Sequence, residues 1–261
     1  MKSNQLYILL IFILLLILGS SIFLNFLLFN RAKKYYLELN ETRLDPNGLN
    51  YYPANIKKPI DTSKIRIVFF GDSRAESWIF PDINEYDVSK YEFINRGISS
   101  QTSIQTIERF PYHVNSLQPN VVIIQVGIND LKTIGLFPED KNSIIATCKS
   151  NIKEIVDESR KIGATVIIST IFPVGKVPLE RQPFWSDEIG KAVEELNTYI
   201  KTLAEDKIIV FDAFPILADS QGMMLQEYSL DELHLNERGY NALNKKLVEL
   251  LKSMKLRTAH N

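Results

Sequence analysis

The sequence predicts an α/β protein. The expected architecture is a three-layer α/β/α sandwich on a five-stranded parallel sheet, preceded by one N-terminal transmembrane helix. Three observations predict it. Five short β-rich apolar runs recur between residues 64 and 212, with longer helical patterns between and after them. The runs are continuously apolar rather than alternating, as strands covered on both faces are. Leu6–Phe29 is a stretch of 24 residues without a charge. At about 1.5 Å per residue it is long enough to cross a hydrocarbon core of about 30 Å.

Composition excludes several classes. The chain has 261 residues, 45% hydrophobic and 23% charged, the balance of a folded protein. A net charge of -1 lacks the basic field that nucleic-acid binding needs, so no nucleic-acid partner is expected. Cys148 is the single cysteine, which rules out a disulfide framework and a cysteine-based metal site. The histidines are His113, His234 and His260, too few for a multi-histidine zinc centre. Neither a metal nor a cofactor is expected.

The chain divides into a membrane anchor over residues 1–30, a juxtamembrane linker over 31–62 and an α/β domain over 63–255. Gly19-Ser20-Ser21 offers the small residues of a signal-peptide cleavage site, but Ile22-Phe23-Leu24 and Phe26–Phe29 carry the apolar run beyond it. An uncleaved single-span anchor is therefore preferred to a cleaved signal. Lys2 flanks one end and Arg31, Lys33 and Lys34 the other, which slightly favours a cytoplasmic C-terminal side. The linker is polar, with Pro46, Gly48, Pro53 and Pro59 as breakers.

The expected strands are Ile65–Phe70, Tyr91–Asn95, Val121–Val126, Ala164–Ile171 and Lys207–Asp212. Helical patterns lie near 102–117, 139–162, 186–204 and 236–253. In the second, Ile144, Ile145, Cys148, Ile152, Ile155 and Val156 share one face, so Cys148 belongs to the core. In the last, Leu243, Leu247, Leu250 and Leu251 do the same. Parallel sheets of this kind, flavodoxin-like in outline, place ligands beyond the carboxyl ends of their strands.

Those ends carry polar motifs. The first strand ends in Gly71-Asp72-Ser73, the second in Asn95-Arg96-Gly97 and the third in Gly127-Ile128-Asn129-Asp130. Asp231-Glu232-Leu233-His234 opens the last helix. A serine hydroxyl needs a neighbouring base to become a nucleophile, and His234 is the histidine placed to serve. A carboxylate on the other ring nitrogen would hold the tautomer, and Asp231 lies three residues away. Taken singly, each residue has a plainer role. Ser73 is a favoured helix cap, Asn129 a turn residue, Asp231 a helix-terminus charge and His234 an ordinary half-buried histidine.

Together, and in this order, the four blocks resemble those of the SGNH, or GDSL, family of esterases and lipases over roughly residues 64–252. The resemblance implies a serine esterase with Ser73 as nucleophile, His234 as base and Asp231 as its partner. It implies an oxyanion hole from the Ser73 and Gly97 backbone N–H groups and the Asn129 amide. Asp72 is then structural. Exported relatives are common in the family, which moves the reading of the catalytic domain toward the extracytoplasmic side. An O-acyltransferase on cell-envelope glycans would share the first half-reaction, so it remains open. A non-catalytic flavodoxin-like binding module is also allowed by the fold alone. A Gly-x-Ser-x-Gly elbow is missing, which excludes the α/β-hydrolase pattern.

Two departures stand out. Arg74 follows the nucleophile, where it either contacts an anionic substrate or pairs with Glu76 or Asp130; the ion pair is preferred. Ile98-Ser99-Ser100 follows Gly97, where a glycine often stands last. Substrate contacts are expected from Trp78-Ile79-Phe80, Ile134–Phe137 and Pro173–Trp185, with Arg74, Trp78, Phe184 and Trp185 as candidates. The aromatics have an equal claim to be loop anchors. The expected substrate is a small-molecule, lipid or glycan ester. His113 and His260 read as surface residues, and the oligomeric state is unreadable.

Overall fold

A computed structural model describes residues 3–52, 61–254 and 256. The chain forms two compact units that divide between Pro46 and Asn47. The first is one helix, α1 (Ser3–Leu44). Its apolar residues from Leu6 to Phe29 are exposed, and it is long and apolar enough to cross a membrane. The linker expected from residue 31 is thus partly helical. Nothing before Pro46 breaks the helix, and Lys34 pairs with Glu38 one turn on at 3.6 Å. Pro46 then stops it, because proline disfavours helical backbone in the residue before it. Pro53, Pro59 and His260 lie outside the described residues.

The second unit is built on five strands: β1 (Ile65–Gly71), β2 (Tyr91–Gly97), β3 (Val121–Gln125), β4 (Thr165–Ser169) and β5 (Ile208–Phe211). All pair in parallel, in the order β2-β1-β3-β4-β5. This is the flavodoxin-like order, with the chain reversing direction across the sheet between β1 and β3. Along the strands α2 (Ser73–Glu76), α3 (Ser103–Glu108), α4 (Phe110–His113), α5 (Ile128–Leu131), α6 (Lys141–Lys161), α7 (Glu188–Thr202), α8 (Phe214–Leu217) and α9 (Glu237–Ser253) follow in turn. The expected helix over 102–117 is instead split, with Pro111 inside its second piece.

Strand alternation sends side chains to two buried layers. Val68, Phe70, Val122, Ile124, Val166 and Ile168 pack with α3, α4, α6 and α7. Ile67, Phe69, Val121, Ile123, Ile167 and Phe211 pack with Trp78 and α9 on the other face. Cys148 is buried in the first layer. Both faces being covered explains why the strands read as unbroken apolar runs. The carboxyl ends of β1, β2 and β3 then open together at one rim.

Candidate active site

The first rim loop is fixed by backbone packing. At Gly71, φ is +152°, and an added Cβ would stand 1.8 Å from the Gln125 carbonyl oxygen. The Asp72 N–H donates to that same oxygen at 3.1 Å. The carboxylate of Asp72 caps α2 by accepting the Arg74 N–H at 2.9 Å. Ser73 is therefore the first residue of α2 rather than its cap. Asp72 is wholly buried. Burial pushes its carboxyl up to about 6, while the Arg74 guanidinium pulls the other way.

Ser73, from the end of β1, meets His234 across 161 residues of sequence. Ser73 Oγ lies 2.9 Å from His234 Nε2. On the far side of the ring, His234 Nδ1 lies 2.8 Å from Asp231 Oδ2. A proton on Nδ1 satisfies the carboxylate and leaves Nε2 as the acceptor for the serine hydroxyl. Asp231 Oδ1 also accepts the N–H groups of Leu233 and His234, each at 2.8 Å. Partial burial alone would raise the Asp231 carboxyl. The His234 ring and these two N–H groups outweigh it and hold it below its ordinary value. The turn that carries both residues precedes α9 rather than opening it, since Asn236 caps that helix through Gly239 N–H.

The three expected oxyanion donors are not alike. Asn129 is the second residue of α5, just beyond β3; it is buried and gives one amide hydrogen to the Gln101 carbonyl at 2.9 Å. Its second amide hydrogen remains, because a carboxamide carries two. Gly97 departs from expectation. Its N–H donates to Asn95 Oδ1 at 2.8 Å, so that donor is engaged. Its lack of a side chain serves packing: a Cβ there would stand 2.0 Å from the Glu76 backbone nitrogen.

The structure relocates the expected substrate contacts. Arg74 is fully buried and pairs with neither Glu76 nor Asp130. Its Nε donates to Leu233 O at 2.8 Å and its Nη1 to Phe172 O at 3.1 Å, with the guanidinium over the Phe172 ring. Burial lowers the Arg74 guanidinium to about 10. Asp130 instead accepts the Ser103 N–H and hydroxyl. Trp78 is buried in the second core layer and donates to Asn244 Oδ1 at 2.9 Å. Trp185 packs against the first layer, whereas Phe184 is exposed. Arg181 makes a 3.0 Å ion pair with Glu232, a buried carboxylate inside the Asp231–His234 turn.

His113 is buried too, against the surface reading. Its ring nitrogens lie 3.2 Å from Arg109 Nη1 and 3.2 Å from Leu49 O. Gln101, Arg109 and Glu232 were missed. Arg109 is wholly buried and donates to Gly71 O, Arg96 O and Gln101 Oε1. Only the tertiary meeting of β1, β2 and α3 makes that role visible. Glu232 had a local signal, since it sits within the terminal motif.

Residues 69–242 match the model of the GDSL-like Lipase/Acylhydrolase family. Among solved structures, a GDSL-like lipase from Bacteroides thetaiotaomicron is 22% identical, with a TM-score of 0.58 over 80% of this chain and 97% of that one. An acetylxylan esterase from Geobacillus stearothermophilus, solved as a catalytic mutant, is 17% identical, with a TM-score of 0.58 over 75% and 97%. A curated relative, the N-acylneuraminate cytidylyltransferase of Escherichia coli, is 24% identical over 188 residues, or 71% of this chain. The chain spans 40% of the length of that relative. The family model covers well over half of the chain, from the end of β1 into α9, and the chain belongs to the GDSL-like lipase/acylhydrolase family.

Proposed function

We propose that this protein is a membrane-anchored serine esterase that cleaves carboxylic esters of lipids or O-acylated sugars. The observation that carries the reading is the unbroken file from Ser73 Oγ to His234 to Asp231, at 2.9 and 2.8 Å. His234 Nε2 takes the hydroxyl proton as Ser73 Oγ attacks the ester carbonyl. Asp231 stabilises the imidazolium that forms. The tetrahedral oxyanion is received by the Ser73 N–H and the second Asn129 amide hydrogen, donors worth several kcal/mol in barrier height in such sites. Collapse expels the alcohol, which takes its proton from His234. Water then releases the acid from the acyl-serine by the same steps in reverse order.

The anchoring half of the proposal rests on α1, whose exposed apolar length fits a bilayer span. The reading that the catalytic unit faces the extracytoplasmic side is supported by the exported relatives common in the family it resembles, against the slight charge bias of Arg31, Lys33 and Lys34. Retention of the full chain in membranes after alkaline carbonate washing supports an uncleaved anchor; release with a shortened N-terminus overturns it.

The test of the chemistry is hydrolysis of p-nitrophenyl acetate, butyrate and octanoate by the full chain in detergent. Ser73→Ala and His234→Ala are run beside it. Loss of a shared activity in both variants supports the serine mechanism, and the chain-length profile separates a pocket for acetyl groups from one for longer acyl tails. Activity retained by Ser73→Ala contradicts it.

A further inference from the structure

Residues 47–52 fall outside the catalytic domain that the sequence suggests, yet they belong to the α/β unit. They lie along the loop from Gly97 to Gln101. The Asn47 carbonyl accepts Gln101 Nε2 at 2.8 Å. The Tyr52 hydroxyl donates to Gly97 O at 2.5 Å. Its ring sits under the Arg96 guanidinium at 4.5 Å and edge-on to His113 at 5.5 Å. The Tyr51 hydroxyl bonds one Glu76 carboxylate oxygen, and the Ser99 hydroxyl bonds the other. Gly48 turns the segment at φ +67°, where an added Cβ would stand 2.9 Å from both Gln101 Nε2 and Ile98 Cδ1.

The segment thus grips the loop at both ends. Between the grips, Ser100 holds φ at +65°. Such a conformation is costly for a residue with a side chain and persists where its surroundings overdetermine it. From the opposite side, Arg109 donates to Gln101 Oε1. Gln101 is then held at both ends of its amide, and its backbone carbonyl is the acceptor for Asn129 Nδ2. One residue stands between the segment and the amide assigned to the oxyanion.

We propose that Asn47–Tyr52 is a positioning strap for the active site. It fixes the 97–101 loop and, through Gln101, the aim of the Asn129 amide. The proposal rests on the serine-esterase reading, with Asn129 as an oxyanion donor. It makes the segment that follows the apolar helix part of the catalytic unit rather than a passive linker.

The test uses the full chain in detergent with p-nitrophenyl acetate, and working sites are counted by burst titration with an organophosphate. Tyr52→Phe keeps the ring under Arg96 and removes the bond to Gly97 O; Tyr52→Ala removes both. The strap predicts that kcat per working site falls about three- to five-fold for Tyr52→Phe and ten-fold or more for Tyr52→Ala, as expected for losing one and several modest contacts. KM stays within two-fold. In an Asn129→Ala background the Tyr52 substitutions have no further effect on kcat, because the group they position is gone. Unchanged kcat per site with only a lower Tm overturns the strap, and so does full additivity with Asn129→Ala. If the wild-type chain hydrolyses no ester and takes no organophosphate on Ser73, the esterase reading itself fails and the strap's catalytic role fails with it.

Discussion

Ser73 and His234 face each other at 2.9 Å, but the two sides of the site are built differently. The Ser73 side is an extension of the core. Gly71 packs on a carbonyl, Asp72 is wholly buried, and α2 is capped within two residues. The His234 side is a turn at the surface, with 31% of the His234 side chain and 41% of the Asp231 side chain exposed. Among the bonds that orient it are Asp231 Oδ1 to two N–H groups, Arg74 to Leu233 O, Gly175 N–H to Glu232 O, and Arg181 to Glu232. Position on the serine side comes from packing; on the histidine side Leu233 and Leu235 pack into the two core layers, and polar contacts orient the half-exposed Asp231 and His234 beside them. Substitutions therefore separate chemistry from placement.

The largest effect is expected at Ser73. Ser73→Ala removes the proposed nucleophile from a frame that does not need its hydroxyl. Activity should fall by about 10⁴-fold or more, while Tm stays within about two degrees of wild type. A Tm loss comparable to a core truncation would show that the serine side is not held by packing.

Arg74→Met comes next and breaks the bridge between the two sides. The Leu233 and Phe172 carbonyls lose a buried donor, which costs on the order of 2–4 kcal/mol of stability. The histidine turn loosens, and kcat should fall about 10- to 100-fold. Lysine at this position restores one bond and part of the rate. An Arg74→Met enzyme with wild-type kcat would detach the turn from this contact.

Asp72 sharpens the comparison through pH. Its carboxyl stands at about 6 in the folded chain against an ordinary value of 3.8. Between those values the folded state binds more protons than the unfolded one, so stability falls as pH rises from about 4 to 6. Asp72→Asn keeps an acceptor for the Arg74 N–H and removes this dependence. Denaturant melts from pH 4 to 7 should show a flatter curve for the variant, by about 2 kcal/mol across the window. Parallel curves would contradict the burial argument.

The smallest effect is expected at Arg181→Ala. The Arg181 side chain is more than half exposed, but Glu232 is buried, so removing the arginine leaves a carboxylate without its cation. A two- to five-fold fall in kcat with little change in KM is expected, because an exposed partner contributes modestly. No change would leave the Gly175 bond as the support of Glu232.

Much of this was legible from residue order. The five apolar runs gave the strands within a few residues, since both faces of the sheet are covered. Three of the polar motifs marked the ends of β1, β2 and β3 and the fourth the turn before α9, and three of the residues in them form the Ser73–His234–Asp231 file. The failures share one cause. Arg74, His113 and Arg109 are polar residues buried by tertiary contact, and Arg74 and Arg109 bond backbone carbonyls that no local pattern announces. Gly97 is glycine because Glu76 crowds it, a fact of packing between β2 and α2. Trp78 looked like a rim residue from its place after the nucleophile, but the four-residue α2 turns it back into the core. The Tyr51-Tyr52 pair read as linker, because nothing near it in sequence shows the loop it holds.

The central claim is a covalent acyl-enzyme on Ser73. The most direct measurement is acid quenching of the full chain during turnover of p-nitrophenyl acetate, followed by peptide mass spectrometry. The account predicts an acetyl group on Ser73 in wild type and none in Ser73→Ala. Turnover with Ser73 unmodified, or with the acetyl group on another residue that Ser73→Ala leaves in place, would contradict it.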